Sequence, residues 1–279
     1  MTTAQLIAKD FGEFKDLSPE IQAEIDRLSR QPYLELERVK HCHAWMYELL
    51  ISRMTGLLLG ESRSGKTITC KAFARRCNEQ AKTKGKRVKP VVYIQIPKGC
   101  GARDLFIKIL KTLGHRATSG TITDLRERTL DTLELFQVMM LIIDEANQLK
   151  FETFSEVRHI YDDDNLRLSV LLVGTTNRLT RVVERDEQVS NRFLERYELD
   201  KLDDKEFQKI VEIWGQNVLK MPEASNLAKG KTLSLLKKTT KKLIGRLDMI
   251  LRKAAIRSLL KGHKTIDEKV LEEVARSVK

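Results

Sequence analysis

The pattern of apolar residues predicts both strands and helices in the centre of the chain, but only helices at its two ends. Four short, nearly continuous apolar runs predict buried strands, at residues 57–59, 91–96, 139–143 and 169–173. Apolar residues at helical spacing predict helices between these strands, at residues 66–81, 104–113 and 124–136. Strands that alternate with amphipathic helices indicate a parallel sheet that is covered on both faces.

The two ends of the chain show only the helical spacing. Ser18 and Pro19 predict a helix start, because serine caps a helix and proline suits its first position, and a second helix is predicted at 34–51. Further helices are predicted after the last strand, at residues 203–220, 231–242, 245–261 and 267–278. We therefore predict an α/β fold with three parts: a helical N-terminal section packed on the core (1–52), a parallel-sheet core (53–200) and a small helical lid (201–279).

The composition adds a strong positive charge to this picture. The 279 residues carry a formal charge of +12, and residues 201–279 hold 19 basic against 10 acidic side chains. This excess makes an acidic partner such as nucleic acid the first expectation. With only 6% aromatic residues, the chain suits binding to a nucleic-acid backbone better than stacking on bases. For any single basic run, such as Lys237-Lys238, a solvated helix face is the alternative.

The sequence shows no signal for a membrane or a metal cluster. No run approaches the roughly 18 apolar residues of a membrane span, and the first residues lack a secretion signal, so a cytoplasmic protein is expected. The cysteines form no CxxC pair and are expected to be reduced; they are Cys42, Cys70, Cys77 and Cys100.

The first chemical signature follows the strand at 57–59. Residues 60–67 match the GxxxxGKT pattern of a phosphate-binding loop, and a helix is predicted directly after them. In such a loop, backbone N–H groups surround a polyphosphate, Lys66 reaches its β and γ phosphates, and the Thr67 hydroxyl ligates magnesium. We therefore predict ATP and Mg²⁺ as cofactors. The predicted cofactor-binding residues of this stretch are Gly60, Glu61, Ser62, Arg63, Ser64, Gly65, Lys66, Thr67 and Ile68.

The second signature is the pair Asp144-Glu145, which ends the strand at 139–143. At the carboxyl edge of a parallel sheet, such carboxylates face the ligand crevice. Asp144 is predicted to hold magnesium through water, and Glu145 to orient or deprotonate the water that attacks the γ phosphate. The alternative is an exposed pair that caps the next helix. A kinase that excludes water would not need Glu145, so ATP hydrolysis is the expected reaction.

Two further positions are candidates for sensing the γ phosphate. Thr175 lies in the Gly-Thr-Thr-Asn turn after the strand at 169–173, and Asn177 is the second choice in that turn. An ordinary strand exit has the same composition. Arg246 opens a predicted lid helix, where a cation is locally unfavourable unless a bound phosphate compensates it. A surface arginine is the alternative for Arg246.

Arg192 is the first candidate for an arginine that acts in trans. It lies after a predicted helix and just before the last strand of the core, where it could reach the nucleotide of a neighbouring subunit and stabilise transition-state charge. Arg185 and Arg196 are its rivals. A trans-acting arginine requires an oligomer.

Together these motifs resemble an AAA+ ATPase, and more narrowly the TniB/TnsC transposition regulators, including those of CRISPR-associated transposons. The resemblance rests on the phosphate loop, Leu-Ile-Ile-Asp-Glu-Ala, the Val-Gly-Thr strand end, Arg-Asp-Glu-Gln-Val at 185–189 and Gly-Arg-Leu-Asp at 245–248. It implies a P-loop AAA+ core and slow, partner-stimulated hydrolysis of ATP. It further implies a homo-oligomer, ring or filament, that assembles on double-stranded DNA, marks a target site and recruits a transposase and a target-selection protein. Hydrolysis would then drive disassembly.

Members of this ATPase class often line a central pore with the segment after the second core strand, here residues 97–124. Lys98, Arg103 and Thr121 are predicted to contact DNA phosphates, the last two because they begin predicted helices. Helix capping by Thr121 and solvent exposure of Arg103 are the alternatives.

Two other functions are compatible with these motifs. A replicative helicase loader would also bind ATP and DNA, but it would deliver a helicase. A signalling or scaffold switch would assemble with nucleotide and have no need of DNA. ATP-dependent binding to duplex DNA would distinguish the scaffold switch from both the helicase loader and the transposition regulator.

Overall fold

The computed structural model describes residues 18–81, 88–116, 118–223 and 225–277. The predicted N-terminal section is therefore described only from Ser18 onward. The chain divides into two compact units, of which one comprises residues 33–200 and the other joins the residues up to 32 with those from 201 onward. In the described parts of the chain, no helix has the length and apolar character needed to cross a membrane.

A parallel sheet of five strands lies at the centre of the first unit. The strands are β1 (Gly56–Leu59), β2 (Val91–Gln95), β3 (Met140–Asp144), β4 (Ser169–Val173) and β5 (Glu195–Glu198). Their order across the sheet is β2-β3-β4-β1-β5. Because parallel strands end at the same edge, this order brings the segments after β1, β3 and β4 together. These segments hold the phosphate loop, the Asp144-Glu145 pair and the turn at 174–177.

Seven helices of this unit lie between or before the strands among the described residues. They are α2 (Glu37–Ser52), α3 (Lys66–Ala81), α4 (Ala102–Thr112), α5 (Ile122–Leu135), α6 (Thr153–Asp162), α7 (Thr176–Val183) and α8 (Glu187–Ser190). Successive strand residues point to opposite faces of the sheet. Leu57 and Leu59 therefore pack into the core beneath α4 to α8, whereas Leu58 packs beneath α2 and α3. The predicted α/β fold with helices on both faces is confirmed.

The second unit is helical throughout its described elements. These are α1 (Pro19–Ser29), α9 (Asp204–Ile213), a π-helical segment (Trp214–Leu219), α10 (Gly230–Thr240), α11 (Ile244–Leu260) and α12 (Glu268–Ser277). The Ser18 hydroxyl accepts the Ile21 N–H at the start of α1, as its sequence predicts. The predicted helix at 203–220 is regular only to Ile213, where the π-helical segment replaces it.

Two arginines join α1 to the C-terminal helices. The Arg27 guanidinium donates to the carbonyls of Val218 (2.6 Å) and Leu219 (2.8 Å) at the end of the π-helical segment. Arg252 of α11 donates to the Leu28 carbonyl (2.9 Å) at the end of α1. Each arginine satisfies carbonyls that a helix end leaves without an internal partner. The first helix of the predicted N-terminal section therefore groups with the C-terminal helices.

Candidate nucleotide-binding site

The phosphate loop connects β1 to α3 and is shaped by backbone conformations that glycine adopts readily. Gly60 has φ +153°, and a Cβ atom there would lie 2.6 Å from the Leu199 carbonyl oxygen. Gly65, directly before α3, has φ +102°. Both angles lie in the region that disfavours residues with a side chain. These two positions explain why the loop pattern requires glycine at its first and sixth residues.

Lys66 extends its ammonium group back over the loop. Its Nζ donates to the carbonyls of Gly60 (2.8 Å) and Glu61 (2.7 Å), and the residue is only 7% exposed. Burial lowers the pKa of Lys66, while the nearby carboxylates of Glu145 and Asp144 act in the opposite direction. The loop thus holds a cation where a polyphosphate would lie.

The Asp144 carboxylate is the meeting point of the loop and the third strand. Its Oδ2 accepts the Thr67 hydroxyl at 2.7 Å and the Tyr93 hydroxyl at 2.7 Å, and its Oδ1 accepts the Glu145 N–H at 2.8 Å. Asp144 is 1% exposed. Burial and contact with Asp144 raise the pKa of Tyr93, so its phenol remains a proton donor at neutral pH. Thr67 and Asp144, the predicted metal ligands, therefore lie in direct contact.

Glu145 has a left-handed backbone conformation (φ 58°, ψ 34°) that turns the chain into the 3-10 turn Ala146–Gln148. Such a conformation costs an ordinary residue of order 1–3 kcal/mol, and it is found disproportionately at functional sites. The turn leaves the Glu145 side chain half-buried, close enough to Lys66 to influence its pKa. The predicted hydrolytic carboxylate and the loop lysine therefore belong to one site.

Asn147 connects the segments after β3 and β4. Its Oδ1 accepts the Thr175 N–H at 3.3 Å, and a Cβ atom added to Gly174 would lie 2.5 Å from that oxygen. The Thr175 hydroxyl is buried and has no hydrogen-bond partner among the described residues. The structure thus places Thr175 at the tip of β4, next to the Asp144-Glu145 strand, while Asn177 is exposed in the first turn of α7.

The residues of this site fit a nucleotide with magnesium. A buried ammonium and a glycine-shaped loop at the N-terminus of α3 suit a polyphosphate. A threonine hydroxyl and a carboxylate supply the oxygen ligands that Mg²⁺ prefers. Among the described residues, no cluster of three or more histidine, cysteine or acidic side chains offers a different kind of metal site.

The three candidate trans-acting arginines differ in their contacts. Arg192 makes a two-bond ion pair with Asp162, at 3.0 and 3.1 Å. Arg196 bonds to Glu184 at 3.2 Å, and the Arg185 guanidinium lies 4.5 Å from the centre of the Phe151 ring. The function of each stays a prediction.

Arg192 lies at the edge of the sheet opposite the phosphate loop. Its carbonyl accepts the hydroxyl of Thr55, which directly precedes β1, whereas the phosphate loop follows the other end of that strand. Four strand residues separate the two ends by about 13 Å. Arg192 is therefore remote from the phosphate loop of its own chain.

Arg246 lies in the first turn of α11, in the unit that does not contain the phosphate loop. It is half-buried, and its side chain has no ion-pair partner among the described residues. A role for Arg246 in sensing nucleotide stays a prediction.

The predicted DNA contacts are distributed along the surface of α4 and α5. The Arg103 guanidinium donates to the Gly120 carbonyl at 2.6 Å, and Thr121 forms a reciprocal capping box with Asp124 at the start of α5. Lys98 is exposed after β2. Thr121 therefore caps a helix, as its alternative interpretation predicted. Arg103 is exposed, as its own alternative predicted, and it also bonds to the loop before α5.

Two residues of the site, Tyr93 and Asn147, are absent from the sequence prediction. Tyr93 is the one residue with a hydroxyl in the strand Val-Val-Tyr-Ile-Gln, and Asn147 lies three positions after Asp144. The only sequence signal for Tyr93 and Asn147 is that each is a polar residue in or just after a predicted strand. They could not be assigned without the strand order, because that order puts β2 and β4 on either side of β3.

Comparisons with known proteins agree with this geometry. The family model described as "Bacterial TniB protein" matches residues 27–203. A search of curated proteins found no match.

Several solved structures share the fold. The ORC2 protein of Aeropyrum pernix (ADPNP-ADP complexes) is 17% identical, with 90% of this chain and 71% of that chain covered and a TM-score of 0.67. The ORC1 protein of the same organism in complex with DNA is 14% identical, with 91% and 69% covered and a TM-score of 0.72. Domain III of the Thermotoga maritima replication initiation protein DnaA is 15% identical, with 94% and 98% covered and a TM-score of 0.59. The fold is thus that of an AAA+ domain.

Proposed function

The chain belongs to the bacterial TniB family, and from this premise we propose that it is an ATPase that regulates transposition. It assembles with ATP as an oligomer on double-stranded DNA, marks the insertion site and recruits a transposase. Hydrolysis, slow until a partner stimulates it, drives disassembly. An RNA-guided complex, as in CRISPR-associated transposons, is one class of target-selection partner that this function accommodates.

The observation that carries the ATPase proposal is the contact between the phosphate loop and the strand-end carboxylates. Thr67 bonds to Asp144 at 2.7 Å, and Glu145 follows directly, with a left-handed backbone and a carboxylate that raises the pKa of Lys66 against the effect of burial. Magnesium, when bound, supplies positive charge that neutralises the phosphates. Asp144 and Thr67 are predicted metal ligands, and Lys66 is a cation. Glu145 is therefore the side chain of this group that is left to accept a proton from an attacking water.

The position of Arg192 supports an oligomer. It lies about one strand length from the phosphate loop of its own chain, so an arginine finger at this position would serve a second copy. Asp162, bonded at 3.0 and 3.1 Å, would orient the guanidinium until a phosphate of the neighbour replaces it.

Exposed cations on the segment 97–124 support the DNA part of the proposal. Lys98, Lys108, Lys111 and Arg116 are exposed, and none has an ion-pair partner within the described ranges. Arg103 contributes by fixing the Gly120 carbonyl, which positions the loop between α4 and α5. Such cations suit phosphate contacts, which position a protein on DNA without reading its sequence.

Electron microscopy with a non-hydrolysable ATP analogue, with and without random-sequence duplex, tests this function. Rings or filaments that enclose duplex only with nucleotide are the expected result, and Lys66→Ala should abolish them. Glu145→Gln should retain ATP and remain assembled on DNA, whereas the control Glu152→Gln, on an exposed residue, should dissociate like the wild type. Assembly indifferent to DNA would instead favour a scaffold switch.

The salt dependence of DNA binding tests the segment itself. Replacing Lys98, Lys108 and Lys111 by alanine should weaken binding and reduce the slope of log K against log salt by roughly 0.9 for each phosphate that the variant no longer neutralises. The matched control replaces three other exposed lysines, Lys205 and Lys209 of α9 and Lys231 of α10. An equal weakening of DNA binding in both variants would mean that only the net charge matters.

A second candidate, a replication initiator or helicase loader, is favoured by the likeness to ORC and DnaA structures. Such a protein would also bind ATP and DNA. Co-purification with a transposase, rather than with a replicative helicase, would distinguish the two functions.

A further inference from the structure

Tyr93 is not part of any phosphate-loop signature, yet its hydroxyl reaches the carboxylate at the centre of the site. It donates to Asp144 Oδ2 at 2.7 Å, the oxygen that also accepts the Thr67 hydroxyl. The Glu145 N–H binds the other oxygen. Because Asp144 is 1% exposed, these three donors rather than solvent determine how its oxygens are oriented.

Two of the three donors have other roles in the site. Thr67 is a predicted metal ligand, and the Glu145 N–H moves with the residue predicted to act on water. Tyr93 has neither role. It lies on β2, its ring packs against the core beneath α2 and α3, and the Lys71 ammonium lies 5.6 Å from the ring centre. The strand therefore holds the phenol in place whether or not a ligand is bound.

We propose that Tyr93 is a positioning residue for the magnesium site: its hydroxyl holds Asp144 in the orientation in which the carboxylate binds the ion through water. The inference rests on the proposed ATPase function. Partners that orient a metal-binding carboxylate are worth about 10- to 100-fold in metal affinity. Tyr93→Phe removes the hydroxyl and retains the ring, so it isolates this contribution from packing.

The test is a magnesium titration of nucleotide binding, followed with a fluorescent ATP analogue. Tyr93→Phe should raise the half-saturating Mg²⁺ concentration about tenfold or more. In EDTA, where no metal is bound, its affinity for the nucleotide should equal that of the wild type. The matched control is Tyr197→Phe, on a half-buried tyrosine of β5 in the same sheet, which should leave both quantities unchanged.

The same substitution in an Asp144→Asn variant distinguishes a role of Tyr93 in positioning the carboxylate from a role in packing. In Asp144→Asn, Tyr93→Phe should cause no additional loss of Mg²⁺ dependence, because the carboxylate that Tyr93 orients is gone. A packing role would weaken nucleotide binding equally with and without Mg²⁺, and the weakening would persist in this background.

The outcomes also separate this inference from the proposed function. A half-saturating Mg²⁺ concentration within about twofold of the wild type, with nucleotide binding intact, would overturn the role of Tyr93 alone. Failure of the wild type to bind nucleotide would overturn the ATPase proposal and this inference with it. If Tyr93→Phe does not fold, ¹³C-labelled tyrosine in the wild type provides the test: the Tyr93 signal should shift when Mg²⁺ joins the nucleotide complex, and an unmoved signal contradicts the proposal.

Discussion

Removing the Asp248 carboxylate should destabilise the C-terminal helical unit strongly. Asp248 accepts three bonds from the Arg252 guanidinium, at 2.7, 2.9 and 3.0 Å, and the Trp214 indole N–H at 3.1 Å. Only 8% of the Asp248 side chain and 18% of the Arg252 side chain are exposed. Asp248→Ala would leave a mostly buried cation and a buried indole N–H without their partner. Because Arg252 retains some solvent contact, we expect a decrease in unfolding free energy at the lower end of the usual range, about 3 kcal/mol.

The two tryptophans make this decrease measurable in the unit concerned. Trp45 belongs to the unit of residues 33–200, so a Trp45→Phe background leaves Trp214, beside Asp248, as the sole tryptophan reporter, and it lies in the helical unit. Urea unfolding followed at Trp214 then gives the change in unfolding free energy.

An exposed ion pair provides the control for this prediction. Arg276 and Glu272 in α12 have the same four-residue spacing, but their side chains are 78% and 44% exposed. Glu272→Ala should therefore cost less than about 0.5 kcal/mol. If Asp248→Ala cost no more than Glu272→Ala, burial of the pair would not determine its contribution, and the reasoning would be refuted.

Two other substitutions test the α/β unit. Arg192→Ala should leave nucleotide binding by the dilute monomer intact but reduce hydrolysis in the assembly roughly 1,000-fold or more, whereas Arg196→Ala should not; unimpaired turnover would assign the trans-acting arginine elsewhere. Gly174→Ala should displace Asn147, whose oxygen would lie 2.5 Å from the new methyl group, and cost about 1–3 kcal/mol in unfolding free energy. Gly101→Ala is its control, because the nearest atom there lies 3.9 Å away.

The sequence was sufficient to predict the elements whose ends are marked by a local signal. The strand at 169–173 and the helix at 66–81 have the predicted bounds, because continuous apolar runs and the phosphate loop mark their ends. By contrast, β5 reads Glu-Arg-Tyr-Glu at the edge of the sheet and is mostly exposed, so no apolar run marks it. A last strand was expected after Arg192, but without bounds, whereas the helix α6 was not predicted at all.

The candidate site shows the same division between local and long-range information. Lys66, Thr67 and Asp144 were predicted because each belongs to a short motif with a known chemical role. The bond from Tyr93 to Asp144 joins residues 51 positions apart, and it exists only because β2 and β3 are neighbours in the sheet. Contacts of this kind follow from strand order, which a pattern of apolar positions does not contain.

The chain segments after β2 and β3 remain paired beyond the ends of their strands, which links the predicted DNA segment to the predicted hydrolytic residue. The Gly99 N–H donates to the Gln148 carbonyl, and the Lys150 N–H donates to the Cys100 carbonyl, both at 2.9 Å. The turn that begins at Glu145 is thus bonded to the start of the exposed basic segment. A displacement of that segment must either break these bonds or move the turn with it. Since each backbone bond that breaks costs free energy, these two bonds couple the basic segment to the turn.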